Sequence, residues 1–236
     1  RSQHGAGAGH RRGAGRRART VTPVAPGPRR PARSAYTGGH VSAAPHSDRL
    51  SHVLVIAATR QELAPTEGWR TLCCGVGPVE AAATCAATLA GNRPDLIVHV
   101  GIAGARRASG LVTPAVVVGT GAVYTDLGVP DTLAPSRLAV AGDLVEAACR
   151  ALPEASRRVI GTSGRVGHTT GCEVEAMEGF AVLRAAMLAG IPAIEVRVVS
   201  NTIEDTDRTL WHFDAAFAAV KALTPRLVRE IAACVR

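Results

Sequence analysis

Short β-branched runs alternate along this chain with Ala-rich stretches of helical length, and that alternation restricts the fold more than any other feature. Residues 52–59 (HVLVIAAT), 95–100 (DLIVHV), 115–121 (AVVVGTG), 158–162 and 193–199 read as strands, several apolar throughout, as strands buried on both faces are. Residues 69–75 give one more. Between them, 79–90 reads as a helix with Pro78 in its first turn and Gly91 past its end, and 141–152 as a helix ended by Pro153. Residues 174–189 read as a helix stopped by Gly190 and Pro192, and 214–235 as a terminal helix with a break at Pro225. Strands alternating with helices imply an α/β sheet covered on both faces. No internal repeat of solenoid period is present.

Charge separates the chain into two parts. Taken whole, a net charge of +8 would suggest a nucleic-acid partner. Residues 1–52, however, hold ten arginines and a single acid, Asp48, leaving 17 basic against 18 acidic side chains in the rest. Residues 1–50 are Gly, Ala, Arg, Pro and Ser with scarcely any large apolar side chain, so nothing there offsets the entropy of ordering them. They are expected to be a disordered leader, either a tail for an acidic partner or a solvated extension. The remaining 51–236 are expected to form one α/β domain of ordinary size. With 47% hydrophobic but only 3% aromatic residues, its core must come from Ala, Val, Leu and Ile. Six cysteines show no Cys-x-x-Cys spacing and read as buried or incidental thiols in a reducing, cytoplasmic setting. No apolar run approaches the roughly 20 residues of a membrane span, and no apolar core follows Arg11-Arg12 to make a signal peptide. Neither a membrane nor a nucleic acid is an expected partner.

In open α/β sheets the ligand crevice lies beyond the carboxyl ends of the strands. Four places there carry chemistry. Glu62 follows the first strand, as a general base or as a surface acid near a helix start. The glycine turns Gly75-x-Gly77 and Gly101-x-x-Gly104 permit close backbone approach and offer amides to an anion, or are only tight turns; neither matches the dinucleotide fingerprint. Glu173 and Glu175 suit the first turn of the expected 174–189 helix, whereas Glu178, among Met177, Phe180 and Ala181, is an acid in an apolar setting that needs partners such as sugar hydroxyls. Ser200 and Asn201 end a buried strand, where the Asn amide can both donate and accept, or simply form a turn.

The stretches EAMEGF (175–180), EVRVVSN (195–201) and DRTLW (207–211) resemble the nucleoside phosphorylase and nucleosidase superfamily, and within it the futalosine hydrolase family. VLVIAATRQE (53–62), CGVGPVEAAA (74–83), LIVHVGIAGA (96–105) and VYTDLG (123–128) extend the likeness over nearly everything after the leader. The resemblance implies a three-layer sandwich with a central mixed, mostly parallel sheet. It also implies cleavage of the N-ribosidic bond of a purine nucleoside without metal or cofactor, and assembly as a homo-oligomer.

By that match Glu178 accepts hydrogen bonds from the ribose hydroxyls, Met177 packs on the sugar, and Glu62 takes the proton from water. Ser200 and Asn201 stand at the purine, with Gly77 and Gly104 close to the substrate. Trp211 and Arg208, with Asp207, stand near its tail. Related nucleosidases for 6-aminopurines carry Asp where this chain has Asn201, and an amide can instead donate to O6 or N7 of a 6-oxopurine, so hypoxanthine is the expected leaving group. Two connections are short beside those of relatives: between Glu62 and Cys73, and between Gly171 and Glu175. No aromatic residue is evident to stack on the purine; His168 is either that residue or a polar loop residue. A phosphorylase would need a phosphate site, for which Arg60 or Arg106 could serve, and a nucleoside-binding protein without turnover is the alternative outside enzymes.

Overall fold

The computed structural model describes residues 49–167 and 171–234. The expected leader falls almost wholly outside these, and so does His168. The strands are β1 (Val53–Ala57), β2 (Arg70–Cys73), β3 (Leu96–Ala105), β4 (Val116–Tyr124), β5 (Arg137–Ala139), β6 (Ser156–Thr162), β7 (Val174–Ala176) and β8 (Ala193–Thr202). The helices are α1 (Pro78–Gly91), α2 (Gly142–Ala151), α3 (Gly179–Ala189) and α4 (Phe213–Ala232), with single 3-10 turns at Arg107–Ser109 and Arg208–Leu210.

The β-branched runs pair as strands because both of their faces find apolar cover. On β1, Leu54 and Ile56 join Ile97 of β3 against Ala81, Cys85 and Leu89 of α1 and Val182 and Ala186 of α3. Val53 and Val55 point the other way, into a cluster with Leu144 and Val145 of α2 and Leu223, Leu227 and Ile231 of α4. The period-two alternation of a strand thus feeds two separate cores. Burial pushes the thiols of Cys74 and Cys85 up, to about 12 and about 11, so both stay protonated and behave as small apolar side chains.

The sheet is mixed and has eight strands. β2, β1 and β3 run parallel side by side, and β3 is parallel to β8 along nearly its whole length. β8 is antiparallel to β4, β4 parallel to β6, and β6 parallel to β7, which returns to β3 antiparallel through Gly104 and Ala105. Strands β3, β8, β4, β6 and β7 therefore close on themselves, with β2–β1 and β5 attached outside.

Three local expectations are corrected here. Residues 174–176 are a strand, not the start of a helix: Val174 and Glu175 are taken by β3 on one side and β6 on the other. The helix begins only at Gly179, so Glu173 and Glu175 do not sit in its first turn. Gly101-x-x-Gly104 is not a turn either, since it continues β3, with a bulge between Ala103 and Gly104 where β8 gains a residue. Finally, α4 runs through Pro225 without a break. Gly190 does stop α3 as expected, in the left-handed region at φ 66°, with its N–H turned back to Ala186 and Met187.

Candidate active site

A cavity of about 460 Å³ opens where β1, β3 and β8 end and β7 passes into α3. Glu62 stands on the first of these walls. It is 3% exposed and sits in the turn after β1, where no helix follows. Its Oε2 accepts from the N–H and hydroxyl of Thr59, at 2.8 and 2.9 Å, and its Oε1 from the N–H of Ile102 on β3, at 3.1 Å. A surface role near a helix start is therefore ruled out for this carboxylate, which three donors pin at the cavity wall.

Glu178 precedes α3 without capping it; the N–H of Phe180 goes instead to the hydroxyl of Thr162. The Glu178 carboxylate is aimed at the cavity, with Oε1 accepting from the N–H of Gly77 at 3.0 Å and Oε2 facing Nη2 of Arg197 at 3.4 Å. Gly77 itself does not line the cavity. Its φ of 92° suits glycine and turns its amide onto Glu178, so it reaches the site through that residue. Met177 lies half-buried beside Glu178 in the same wall.

Behind these carboxylates lies a sealed polar cluster. Arg197 is fully buried on β8 and donates through Nε to Oε1 of Glu195 at 2.7 Å, while its Nη2 contacts Nε2 of His99 at 2.5 Å. Nδ1 of His99 faces the carbonyl of Ile56 at 3.1 Å, which makes Nδ1 the protonated nitrogen and leaves Nε2 to accept from the guanidinium. Burial, and then the charge of Arg197, hold the His99 pKa well below 6.5. Burial also pushes the Glu195 carboxyl up, against the pull of Arg197. Two glycines make room for the cluster: a Cβ on Gly101 would strike the Arg197 guanidinium and lie 2.9 Å from Oε1 of Glu62, and one on Gly179 would strike the Glu195 carboxylate.

On β8, the Ser200 hydroxyl lies 3.2 Å from the carbonyl of Ala103 and 2.9 Å from Oδ1 of Asn201, and Nδ2 of Asn201 donates to the carbonyl of Thr202 at 3.2 Å. Both side chains line the cavity. Gly104 forms the floor beside them, where a Cβ would come within 3.2 Å of Nδ2 of Asn201. The outer wall is aromatic. The Trp211 indole N–H donates to the carbonyl of Asp205 at 2.9 Å, Trp211 meets Phe213 edge-on at 5.5 Å, and Phe213 stacks with Phe217 at 6.1 Å. The guanidinium of Arg208 lies 5.4 Å from the Trp211 ring centroid. Asp207 does not line the cavity but caps the 3-10 turn through the N–H of Thr209 at 2.9 Å.

The residues expected from sequence at the substrate thus surround one cavity, apart from Gly77 and Asp207. Sequence reading missed Phe213 and Phe217, the buried trio His99, Glu195 and Arg197, and Glu175, which is 5% exposed and lines the cavity. Signals for them existed. Three of the seven aromatic residues fall within 211–217, and Glu195 and Arg197, two apart on a buried strand, had to share a face. The arginines considered for phosphate lie elsewhere: Arg60 is exposed outside the cavity, and Arg106 is engaged with the Cys172 carbonyl at 3.0 Å and Glu204 at 3.8 Å. Among the described residues, no group of three or more His, Cys, Asp or Glu side chains could hold a metal ion, and no helix is long and apolar enough to cross a membrane.

A family model described as the phosphorylase superfamily matches residues 70–233. The chain belongs to that superfamily. Within it, the chain is a homologue of the futalosine hydrolase of Streptomyces coelicolor, 34% identical over 178 residues that cover 65% of this chain and 76% of the relative. In fold it is similar to the native futalosine hydrolase of Helicobacter pylori, with a TM-score of 0.67 at 14% identity over 75% of this chain and 97% of the other. The 5'-methylthioadenosine/S-adenosylhomocysteine nucleosidase of Colwellia psychrerythraea, solved with adenine, gives a TM-score of 0.67 at 18% identity over 76% and 95% of the two chains. That of Neisseria meningitidis, solved with methylthio-immucillin-A, gives 0.66 at 22% over 75% and 98%. The mixed α/β sheet described above is the phosphorylase-superfamily fold.

Proposed function

We propose that this chain hydrolyses the N-ribosidic bond of futalosine, releasing hypoxanthine and dehypoxanthine futalosine, as a step toward menaquinone. The observation that carries the reading is that two separately held carboxylates, Glu62 and Glu178, and the Asn201 amide face a single cavity. Breaking the bond from C1' to the purine nitrogen leaves oxocarbenium character on the ribose and negative charge on the base, so the enzyme must hold the sugar, activate water and receive the base.

Glu178, fixed by the amide of Gly77 and by Arg197, accepts from the ribose hydroxyls and places a negative charge near the developing cation. Met177 covers the sugar. Glu62 accepts the proton of the water that attacks C1', and its bonds to Thr59 and Ile102 hold it in the orientation that transfer needs. Asn201, with Ser200 on its Oδ1, presents Nδ2 to O6 or N7 of the departing hypoxanthine. The Phe213–Phe217 pair supplies aromatic surface of the kind absent from the sequence reading, and Arg208 beside Trp211 stands where an acidic substrate tail would emerge.

The protein is further read as a cytoplasmic homo-oligomer, with the two helix pairs and the sheet between them as a three-layer sandwich. Incubation with futalosine, inosine and methylthioadenosine, each with and without phosphate, tests the activity. The expected result is hypoxanthine from futalosine at a rate independent of phosphate. Release of adenine but not hypoxanthine, or a rate that requires phosphate, would overturn it.

A further inference from the structure

Ile56, His99 and Glu195 are register partners on β1, β3 and β8, so their side chains leave the sheet on one face, the face that α1 and α3 cover. Arg197 lies two residues further along β8, opposite Gly101, and its guanidinium bonds two members of that row, Glu195 through Nε and His99 through Nη2. Nη2 is also the nitrogen that faces Glu178, and it is shared unequally: 2.5 Å to Nε2 of His99 against 3.4 Å to Oε2 of Glu178. A charge-assisted contact between a guanidinium and a carboxylate ordinarily closes to about 2.7–2.9 Å, so the Arg197–Glu178 pair stands about half an ångström open.

The stronger partner thus has the longer contact, although Glu178 is a carboxylate and His99 a neutral ring. His99 is fixed at its other end, where Nδ1 meets the Ile56 carbonyl at 3.1 Å, and burial together with the charge of Arg197 keeps the ring unprotonated, so Nε2 retains the lone pair that Nη2 needs. On Glu178, Oε1 takes the Gly77 N–H. A guanidinium closed onto Oε2 would draw the carboxylate inward and offset its charge. Held open, the carboxylate keeps both its charge and its place in the cavity wall.

We propose that His99 is a positioning residue: by holding Nη2 of Arg197 it keeps the guanidinium from closing on Glu178, and so leaves Glu178 free to accept from the hydroxyls of a ribose. The proposal rests on reading the cavity as a purine nucleoside site, and it concerns a residue that is fully buried behind the wall and does not line the cavity.

Two substitutions divide the ring into its halves. His99→Asn keeps an N–H for the Ile56 carbonyl but has no acceptor that reaches Arg197, whereas the longer His99→Gln places a carbonyl oxygen near the position of Nε2. The readout is selectivity for the ribose 2'-hydroxyl, taken as the ratio of kcat/KM for futalosine to that for 2'-deoxyfutalosine, which does not depend on the fraction of protein that is folded. Relative to wild type, this ratio is expected to fall at least about tenfold in His99→Asn, the size of a hydrogen bond to a charged group, and to stay within about threefold in His99→Gln. Calorimetric binding of inosine and 2'-deoxyinosine, in a Glu62→Gln background that keeps the nucleosides intact, should show the same pattern. Should the Asn variant not fold, the Gln variant decides, and its loss of 2'-hydroxyl selectivity would overturn the proposal.

Wild-type selectivity in both variants, or an equal loss in both, would show that His99 serves only the packing of the interior, and would overturn the proposal. Futalosine hydrolysis by the wild type with an unchanged ratio in His99→Asn would do so while sparing the activity. Loss of 2'-hydroxyl selectivity in nucleoside binding by His99→Asn alone, in a protein that does not turn over futalosine, would remove the activity and leave the positioning role standing. Failure of the Glu62→Gln protein and of the wild type to bind either nucleoside would overturn both.

Discussion

Nη2 of Arg197 lies 3.4 Å from Oε2 of Glu178, with both side chains shut off from solvent. The same guanidinium bonds Glu195 and touches the carbonyl of Ile102, the residue whose N–H holds Glu62. One buried cation thus compensates several buried carboxylates. Removing one partner of such a cluster costs about 3–5 kcal/mol, because the charges left behind stay buried. Arg197→Ala is expected to lose stability in that range in urea unfolding. Arg197→Lys, which restores charge but not the planar fork, should recover part of the stability and little of the activity. A loss below about 1 kcal/mol for the alanine variant would show that the cluster is hydrated or neutral.

His99 gives the molecule a defined response to acid. Its folded pKa lies well below the ordinary histidine value of 6.5, so the unfolded chain binds a proton more readily than the folded one. The stability tied to neutral His99 is present above about pH 6.5 and is lost as pH falls, at up to about 1.4 kcal/mol per pH unit from this one group. Thermal unfolding between pH 7.5 and 5.5 should show the midpoint falling with acid, and His99→Asn should flatten that slope. An equal slope in both proteins would assign it to other groups.

The two site carboxylates should separate kinetically. Glu62→Gln removes the proton acceptor and is expected to lower kcat on futalosine by about 10²–10⁴-fold. Glu178→Gln leaves the fold of the wall but replaces a charge facing the ribose, with an expected loss of about 10²–10³-fold. Activity within about threefold of wild type in either variant would remove that residue from the chemistry.

Arg208 is exposed at the mouth of the cavity, so its charge is screened by water. Arg208→Ala is expected to raise KM for futalosine about three- to fivefold, the size of an exposed ion pair, with little change in kcat. A matching rise in KM for inosine, which lacks an acidic tail, would show that Arg208 acts by packing on Trp211 instead.

The strands that form the core were legible because each is apolar along its length and bounded by Gly, Pro or polar residues. Glu62 and Asn201 were legible because each is a polar residue placed where a buried strand ends, and Glu178 because it is an acid set among apolar residues. β7 was not. Val174, Glu175 and Ala176 have no strand pattern of their own, and only the edges of β3 and β6 on either side make them extended. Reading Gly101 and Gly104 as a turn failed for a related reason. Their lack of a side chain serves neighbours across the sheet, Arg197 for one and Asn201 for the other, and a single sequence shows no such neighbours. Phe213 and Phe217 were hidden inside an amphipathic helix, whose apolar residues are ordinarily assigned to the core.

β3 and β8 each carry two duties in succession. Val98, Val100, Ile194 and Val196 lie in the interior, while a few residues later Gly104, Ser200 and Asn201 face the cavity on the same two strands. Receptor and scaffold are consecutive stretches of one paired backbone, so the pocket cannot melt while the body persists. Opening for substrate must therefore come from the peripheral segment around 203–212, and any ligand that grips Asn201 fastens the two longest strands together and should delay unfolding of the whole molecule.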